Sequence, residues 1–300
     1  MFCTLYNTPK EHMCQDYLQK NIESRHVYGY NVFQFFMKRK KNMQDIIKIV
    51  LVCLIAGAGA GIGTGFAGMS AAAVISPMLI TFLDMPAYDA VGIALASDVL
   101  ASATSAVTYK KNNNIDIKNG IVMMLCVLLF TAVGSYIASL VPNSTMGSFS
   151  VFMTMLLGIK FILKPVNTTR EAMNAVSPKK RLLGSVICGC GVGFVCGFIG
   201  AGGGMMMLLI LTSVLGYELK CAVGTSVFIM AFTALTGAIS HFAIGGAPNI
   251  TVLALCVVFT LVFARLSAKI ANKASTKTLN RVTGVVLVLI GVIILGVKYI

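Results

Sequence analysis

The sequence predicts an all-α integral membrane protein made of two related helical halves, with about eight full spans plus two short re-entrant or broken helices. Three observations predict it. Of the 300 residues, 57% are apolar and only 11% are charged, against roughly 25% charged in an average soluble domain. The apolar residues gather into long runs with basic loops between them, the pattern of a multi-pass chain. The second half also repeats the glycine spacing of the first.

The chain opens with a polar, basic tail that carries Lys10, Lys20, Arg25, Lys38, Arg39, Lys40 and Lys41. The first apolar run begins near Ile46, after a basic stretch far longer than the n-region of a cleavable signal, so it reads as the first transmembrane segment with the tail attached. Within the tail, Phe33 to Lys41 joins apolar and basic residues. That suits an anionic lipid surface, or a plain cytoplasmic anchor.

Ten apolar segments follow, at 49–68, 71–83, 88–109, 120–140, 147–163, 182–199, 203–216, 219–242, 250–270 and 282–298. The second and seventh are too short for a span of about 20 residues. Each follows a glycine-rich stretch that a straight helix disfavours. They occupy matching places. With Gly57 set over Gly189, Gly61 meets Gly193, Gly65 meets Gly197, Gly68 meets Gly200, and Ala90-Val91-Gly92 meets Ala222-Val223-Gly224 without a gap. The expected division is a basic cytoplasmic tail (1–45), a first transmembrane repeat (46–164), a basic linker with Pro165 and Pro178 (165–181), and a second transmembrane repeat (182–300).

The positive-inside rule places the tail, the Lys110 to Lys118 loop and the linker in the cytoplasm, and the Pro142 to Thr145 loop outside. Repeating that scheme in the second half puts Lys269, Lys273, Lys277 and Arg281 outside, which violates the rule. The expected location is a cell membrane, multi-pass (the inner membrane in a bacterium), with the N-terminus cytoplasmic.

Several classes fall away. The net charge of +14 lies in short loops, not on one basic face, which argues against nucleic acid as a partner. Nine scattered cysteines do not suggest a disulfide framework. Cys188, Cys190 and Cys196 admit a thiol- or metal-handling alternative beside the plainer reading as small apolar residues on a packed helix. Neither a P-loop nor an HExxH spacing is present, so neither an enzyme nor a cofactor is expected. The expected partners are the lipid bilayer and a small anionic solute, with a homo-oligomer as an open option.

The chemistry concentrates at the two glycine-rich stretches. A helix broken there frees backbone groups inside the membrane. The helix that restarts presents free N–H groups and a positive dipole end to an anion. Paired interruptions in matching halves point to a transporter's central site, although tight helix packing through small residues is the structural alternative. The second-half stretch is Gly197-Phe198-Ile199-Gly200-Ala201-Gly202-Gly203-Gly204. The first-half copy is Gly65 to Ala72, with Ser70 where the second half has Gly202, and with Pro77 placed to kink or start the short helix.

These paired motifs, with the downstream Ala90-Val91-Gly92 and Ala222-Val223-Gly224-Thr225-Ser226, resemble the sulfite exporter TauE/SafE family of permeases over most of residues 46–298. The first half departs from the glycine-rich pattern at Ala71 and Ala72, and Leu209 stands in the second half where the first has Pro77. The resemblance implies transport of small sulfur-containing or organic anions such as sulfite, sulfonates or sulfoacetate. The expected substrate-binding residues are Gly68, Ser70, Gly200, Gly202, Gly203, Gly204, Thr225 and Ser226.

Asp98 lies mid-segment, where an acid is rare. It reads either as the proton carrier that couples transport or as a structural acid bonded to a neighbouring helix. Ser102, Thr104, Ser105, Thr233 and Thr236 either donate to an oxyanion or bond their own helix. His241 and Arg265 read as boundary residues. The expected function is secondary transport by alternating access, the halves rocking about a central anion site.

Overall fold

The computed structural model describes residues 44–138, 159–160, 162–199, 203–245 and 247–299. The tail, the Pro142 to Thr145 loop, most of the fifth segment, and Gly200, Ala201 and Gly202 lie outside them. The described chain is helical: α1 (Gln44–Ala67), α2 (Ala72–Leu83), α3 (Ala87–Lys111), α4 (Ile117–Ala138), α5 (Arg170–Ala175), α6 (Pro178–Ile199), α7 (Gly203–Ser213), α8 (Leu219–Gly245), α9 (Ile250–Lys273) and α10 (Thr276–Tyr299). The stretches Gln44–Ala67, Ala87–Lys111, Leu219–Ala243, Ile250–Lys273 and Thr276–Ile293 are each long and apolar enough to cross a membrane. Leu100, Leu129, Ile187, Ile239, Val258 and Leu289 are exposed on these and the neighbouring helices, an apolar surface on a scale that suits lipid and not water.

Local chemistry sets the ends. Asp84 takes a left-handed conformation (φ 50°) and its N–H returns to Leu79 to close α2. Pro86 then caps α3, where its missing N–H costs nothing. The Asn249 side chain accepts from the amides of Thr251 and Val252 and starts α9.

Glycines let helices touch where a side chain has no room. A Cβ on Gly57 would lie 2.7 Å from Phe259 Cβ, and one on Gly61 would lie 2.6 Å from the Thr260 carbonyl; Gly65 abuts Ser267 and Ala268. Three glycines at i, i+4 and i+8 thus bring α1 alongside α9, the two running parallel. In the other half Gly189 meets Met123 and Cys126, and Gly193 meets Val127 and Phe130, so α6 runs parallel to α4. Each half's first helix therefore packs on the fourth segment of the other half.

Between these pairs, α3 and α8 run antiparallel. Gly92 meets His241 and Phe242, Gly237 meets Leu95, and Gly224 meets Tyr109. Under the repeat offset Gly92 becomes Gly224 and Tyr109 becomes His241, so the first and last contacts are copies of each other. Equivalent helices packed antiparallel are related by a two-fold axis across the helices. The second half is therefore turned over relative to the first, as in inverted-repeat transporters. Residues 50–300 form one compact unit containing both halves, and residues 1–49 form another.

This inversion removes the conflict over the 269–281 loop. Asn114 donates to Asn272 at 2.7 Å, Lys220 to the Asn272 carbonyl at 3.0 Å, and Asn280 is bonded in both directions to the backbone of Val166. Arg181 lies 3.6 Å from Asp116. The 110–118 loop, the linker and the loops at 214–220 and 272–280 thus meet at one end, with their basic residues.

The sequence reading had the short second segment re-entrant or part of a broken helix. In the structure α2 runs back along α1, with Gly59 facing Val74 at 3.4 Å. Gly65 is level with Ser267, six residues before α9 ends, or about 9 Å at 1.5 Å per residue. So α1 and α2 form a hairpin that enters and leaves on one side. Val50 stands at the end away from the basic loops.

Candidate functional site

The hairpin turns at Gly68, whose φ of +59° is the left-handed conformation glycine adopts without strain. A helix that ends inside a membrane leaves carbonyls that need donors. Four carbonyls at this turn have them. Tyr109 Oη donates to Gly65 at 2.8 Å, and Thr283 Oγ1 to Phe66 at 3.1 Å. Ser226 Oγ donates to Gly68 at 2.8 Å, and Thr64 Oγ1 to Met69 at 3.0 Å. The donors come from α3, α10, α8 and α1. The sequence reading found Ser226 but not Tyr109, Thr283 or Thr64. A hydroxyl in an apolar run carries no sign of which distant carbonyl it will meet.

The amides that open α2 are also engaged. The Ala72 N–H reaches Ser70 Oγ at 3.3 Å and the Ala73 N–H reaches the Ser70 carbonyl at 3.2 Å. Asp98 is wholly buried and is the twelfth of the 25 residues of α3, half-way along it. It accepts from Ser70 Oγ at 2.6 Å and from Ser102 Oγ at 2.7 Å. The structure seats it at the positive end of α2, where the N-terminus of a helix favours negative charge.

The first interruption meets the start of α7. Gly204, in the first turn of α7, is buried against the first turn: a Cβ there would lie 2.8 Å from Ser70 N, 2.9 Å from the Gly68 carbonyl and 3.0 Å from Met69 Cα. Ser226 Oγ, bonded to Gly68, lies 3.4 Å from the Gly204 carbonyl. Gly68, Ser70, Asp98, Gly204 and Ser226 thus form one buried junction, which Gly203 adjoins. Gly200 and Gly202 fall outside the described residues.

Thr225 is placed elsewhere. Its Oγ1 accepts from the Asp116 N–H at 3.1 Å and its methyl group lies against Gly120, because one residue is about 100° around a helix. There it belongs to the polar cluster at the basic end. Asp116 accepts from Tyr217 Oη at 2.9 Å and pairs with Arg181. Burial, with the Asp116 carboxylate beside it, pushes the Tyr217 phenol up, so it stays a donor at neutral pH.

Among the other candidates, Thr233 and Thr236 bond the carbonyls of Met230 and Phe232 on their own helix. His241 Nδ1 lies 3.2 Å from the Tyr88 carbonyl, at the end of the α3–α8 contact. Arg265 is exposed. Ser105 is wholly buried, and its hydroxyl has no hydrogen-bond partner. Cys188 and Cys190 are free thiols, and the Cys196 side chain lies outside the described residues. Among the described residues, no three His, Cys, Asp or Glu side chains gather to hold a metal.

A family model described as Sulfite exporter TauE/SafE matches residues 53–294. The chain belongs to that family. TauE/SafE membership fits the geometry, since the matched span contains both interruptions, Asp98 and the helices that cap them. The chain is 26% identical over 265 residues to "Probable membrane transporter protein YunE" of Bacillus subtilis, covering 83% of this chain and 96% of the relative. It is 25% identical over 216 residues to "Probable membrane transporter protein YdhB" of the same organism, covering 71% and 86%. It is 25% identical over 265 residues to "Probable membrane transporter protein MJ0441" of Methanocaldococcus jannaschii, covering 83% and 94%. No solved structure matches the chain. This TauE/SafE chain is a multi-pass membrane transporter.

Proposed function

We propose that the chain is a secondary transporter of small sulfur-containing or organic anions, sulfite or sulfonates among them, working by alternating access. One observation carries the reading: the interruption of the first half lies directly against the first turn of α7, with Ser226 between their carbonyls. A junction between inverted halves, at membrane depth and rich in hydroxyl and amide donors, suits an oxyanion. The anion is received on the α7 side of the junction, where the Gly203 and Gly204 amides open the helix. Asp98 carries the coupling proton.

The basic loops at 110–118, 164–181 and 272–280 face the cytoplasm. The membrane is the cell membrane.

The test is flux in proteoliposomes with labelled sulfite, sulfoacetate and taurine under imposed gradients. At least one should move. Gly204→Leu should lower its flux more than tenfold while the protein still inserts, because the side chain displaces the Gly68–Ser70 turn. Asp98→Asn should keep exchange but lose proton-driven accumulation. Failure of all three solutes under every gradient would sink the assignment.

A further inference from the structure

Two sites related by the repeat should both attract an anion, yet one already holds a carboxylate of the protein itself. Ser70 Oγ at 2.6 Å and Ser102 Oγ at 2.7 Å converge on Asp98, at the start of α2. The repeat offset sets Met230 opposite Asp98, Ala234 opposite Ser102 and Gly202 opposite Ser70. So neither the acid nor its hydroxyl partners recur at the equivalent positions of the second half.

The surroundings hold a further donor. Asp98, Ser102, Ser105 and Tyr109 are spaced i, i+4, i+7 and i+11, along one face of α3. The first contacts Ser70 and the last contacts Gly65, so the face between them is turned to the same stretch of chain. On it the Ser105 hydroxyl is fully buried and without a partner. A buried hydroxyl left unpaired is destabilising, and an acceptor brought to this face would relieve it.

We infer that the turn before α2 is a second oxyanion site, of a size for one carboxylate, that Asp98 occupies as a tethered anion. The substrate anion is thereby confined to the α7 side of the junction, and the protein binds one anion where its repeat offers two places. This deepens the transport reading, which assigns the junction to anions, but the occupancy of the site is measurable without transport.

Asp98→Ala removes a carboxylate and leaves a methyl group, so free formate supplies the missing atoms. Purified full-length protein in nanodiscs is titrated with carbon-13 formate, with chloride at equal ionic strength as the control. The variant should bind one more equivalent of formate than the wild type, and its thermal midpoint should rise with formate where that of the wild type does not. Adding Ser70→Ala or Ser102→Ala to it should abolish the gain. A folded Asp98→Ala protein that takes no additional formate overturns the inference. Should that variant fail to fold alone, purification in formate decides: recovery supports the site, and no recovery while Asp98→Asn folds overturns it. Wild-type flux lost for every solute, with the formate gain intact, would strike the transport reading and leave this site standing.

Discussion

At the scale of single residues, the junction is a matter of satisfied backbone. Ser226 carries most consequence, because its one hydroxyl closes the Gly68 carbonyl and lies beside that of Gly204. Ser226→Ala leaves a buried carbonyl without a donor, which should cost about 1–3 kcal/mol and lower the thermal midpoint measured in detergent. Thr236→Ala, whose hydroxyl returns only to its own helix, should change the midpoint little. Equal effects of the two would deny Ser226 its bridging role. The residue types were legible in the sequence, but not their partners. Ser70 and Asp98 are 28 residues apart, and Phe66 and Thr283 are 217 apart. No periodicity links such positions. The adjacent Thr225 and Ser226 looked alike in a list of hydroxyls, and only the helix rotation sends one to the basic end and the other to the break.

At the scale of elements, hydropathy and glycine spacing were nearly sufficient. The expected segment at 71–83 is observed as α2 at 72–83, and that at 250–270 as α9 at 250–273, because membrane helices must be long, apolar and internally bonded. Of the two places the sequence allowed Pro77, within the short helix as a kink or at its start, the structure has it inside α2. The glycines separate into two kinds that the sequence does not distinguish. Gly61 presses against the Thr260 and Ala264 backbone, whereas Gly191 has nothing within 4 Å of an added Cβ. Gly61→Leu should therefore part α1 from α9, costing about 1–3 kcal/mol or more, and reduce folded yield. Gly191→Leu should be tolerated. Chromatographic monodispersity and thermal midpoints of the two variants check this, and equal damage from both would contradict the packing.

At the scale of the whole molecule, the sequence showed the repeat but not its handedness. An offset between similar segments is the same whether the second copy stands upright or upside down. The antiparallel contact of α3 with α8 supplies the missing sign, and the basic loops then share one end. Single cysteines at Lys111 and Lys277, in a protein stripped of its own thiols, should react with a membrane-impermeant reagent from the same side, and a cysteine at Asp84 from the other. Labelling of Lys111→Cys and Lys277→Cys from opposite sides would refute the inversion.

The exchange of first helices between the halves also constrains biogenesis. As the ribosome delivers the chain, the glycine stripe of α1 emerges some two hundred residues before α9, the surface it fits. The nascent hairpin must wait in the bilayer, shielded by lipid or by the insertion machinery, until synthesis is nearly complete. Neither half made alone has its native neighbour, so separately expressed halves should be degraded singly and survive only when produced together.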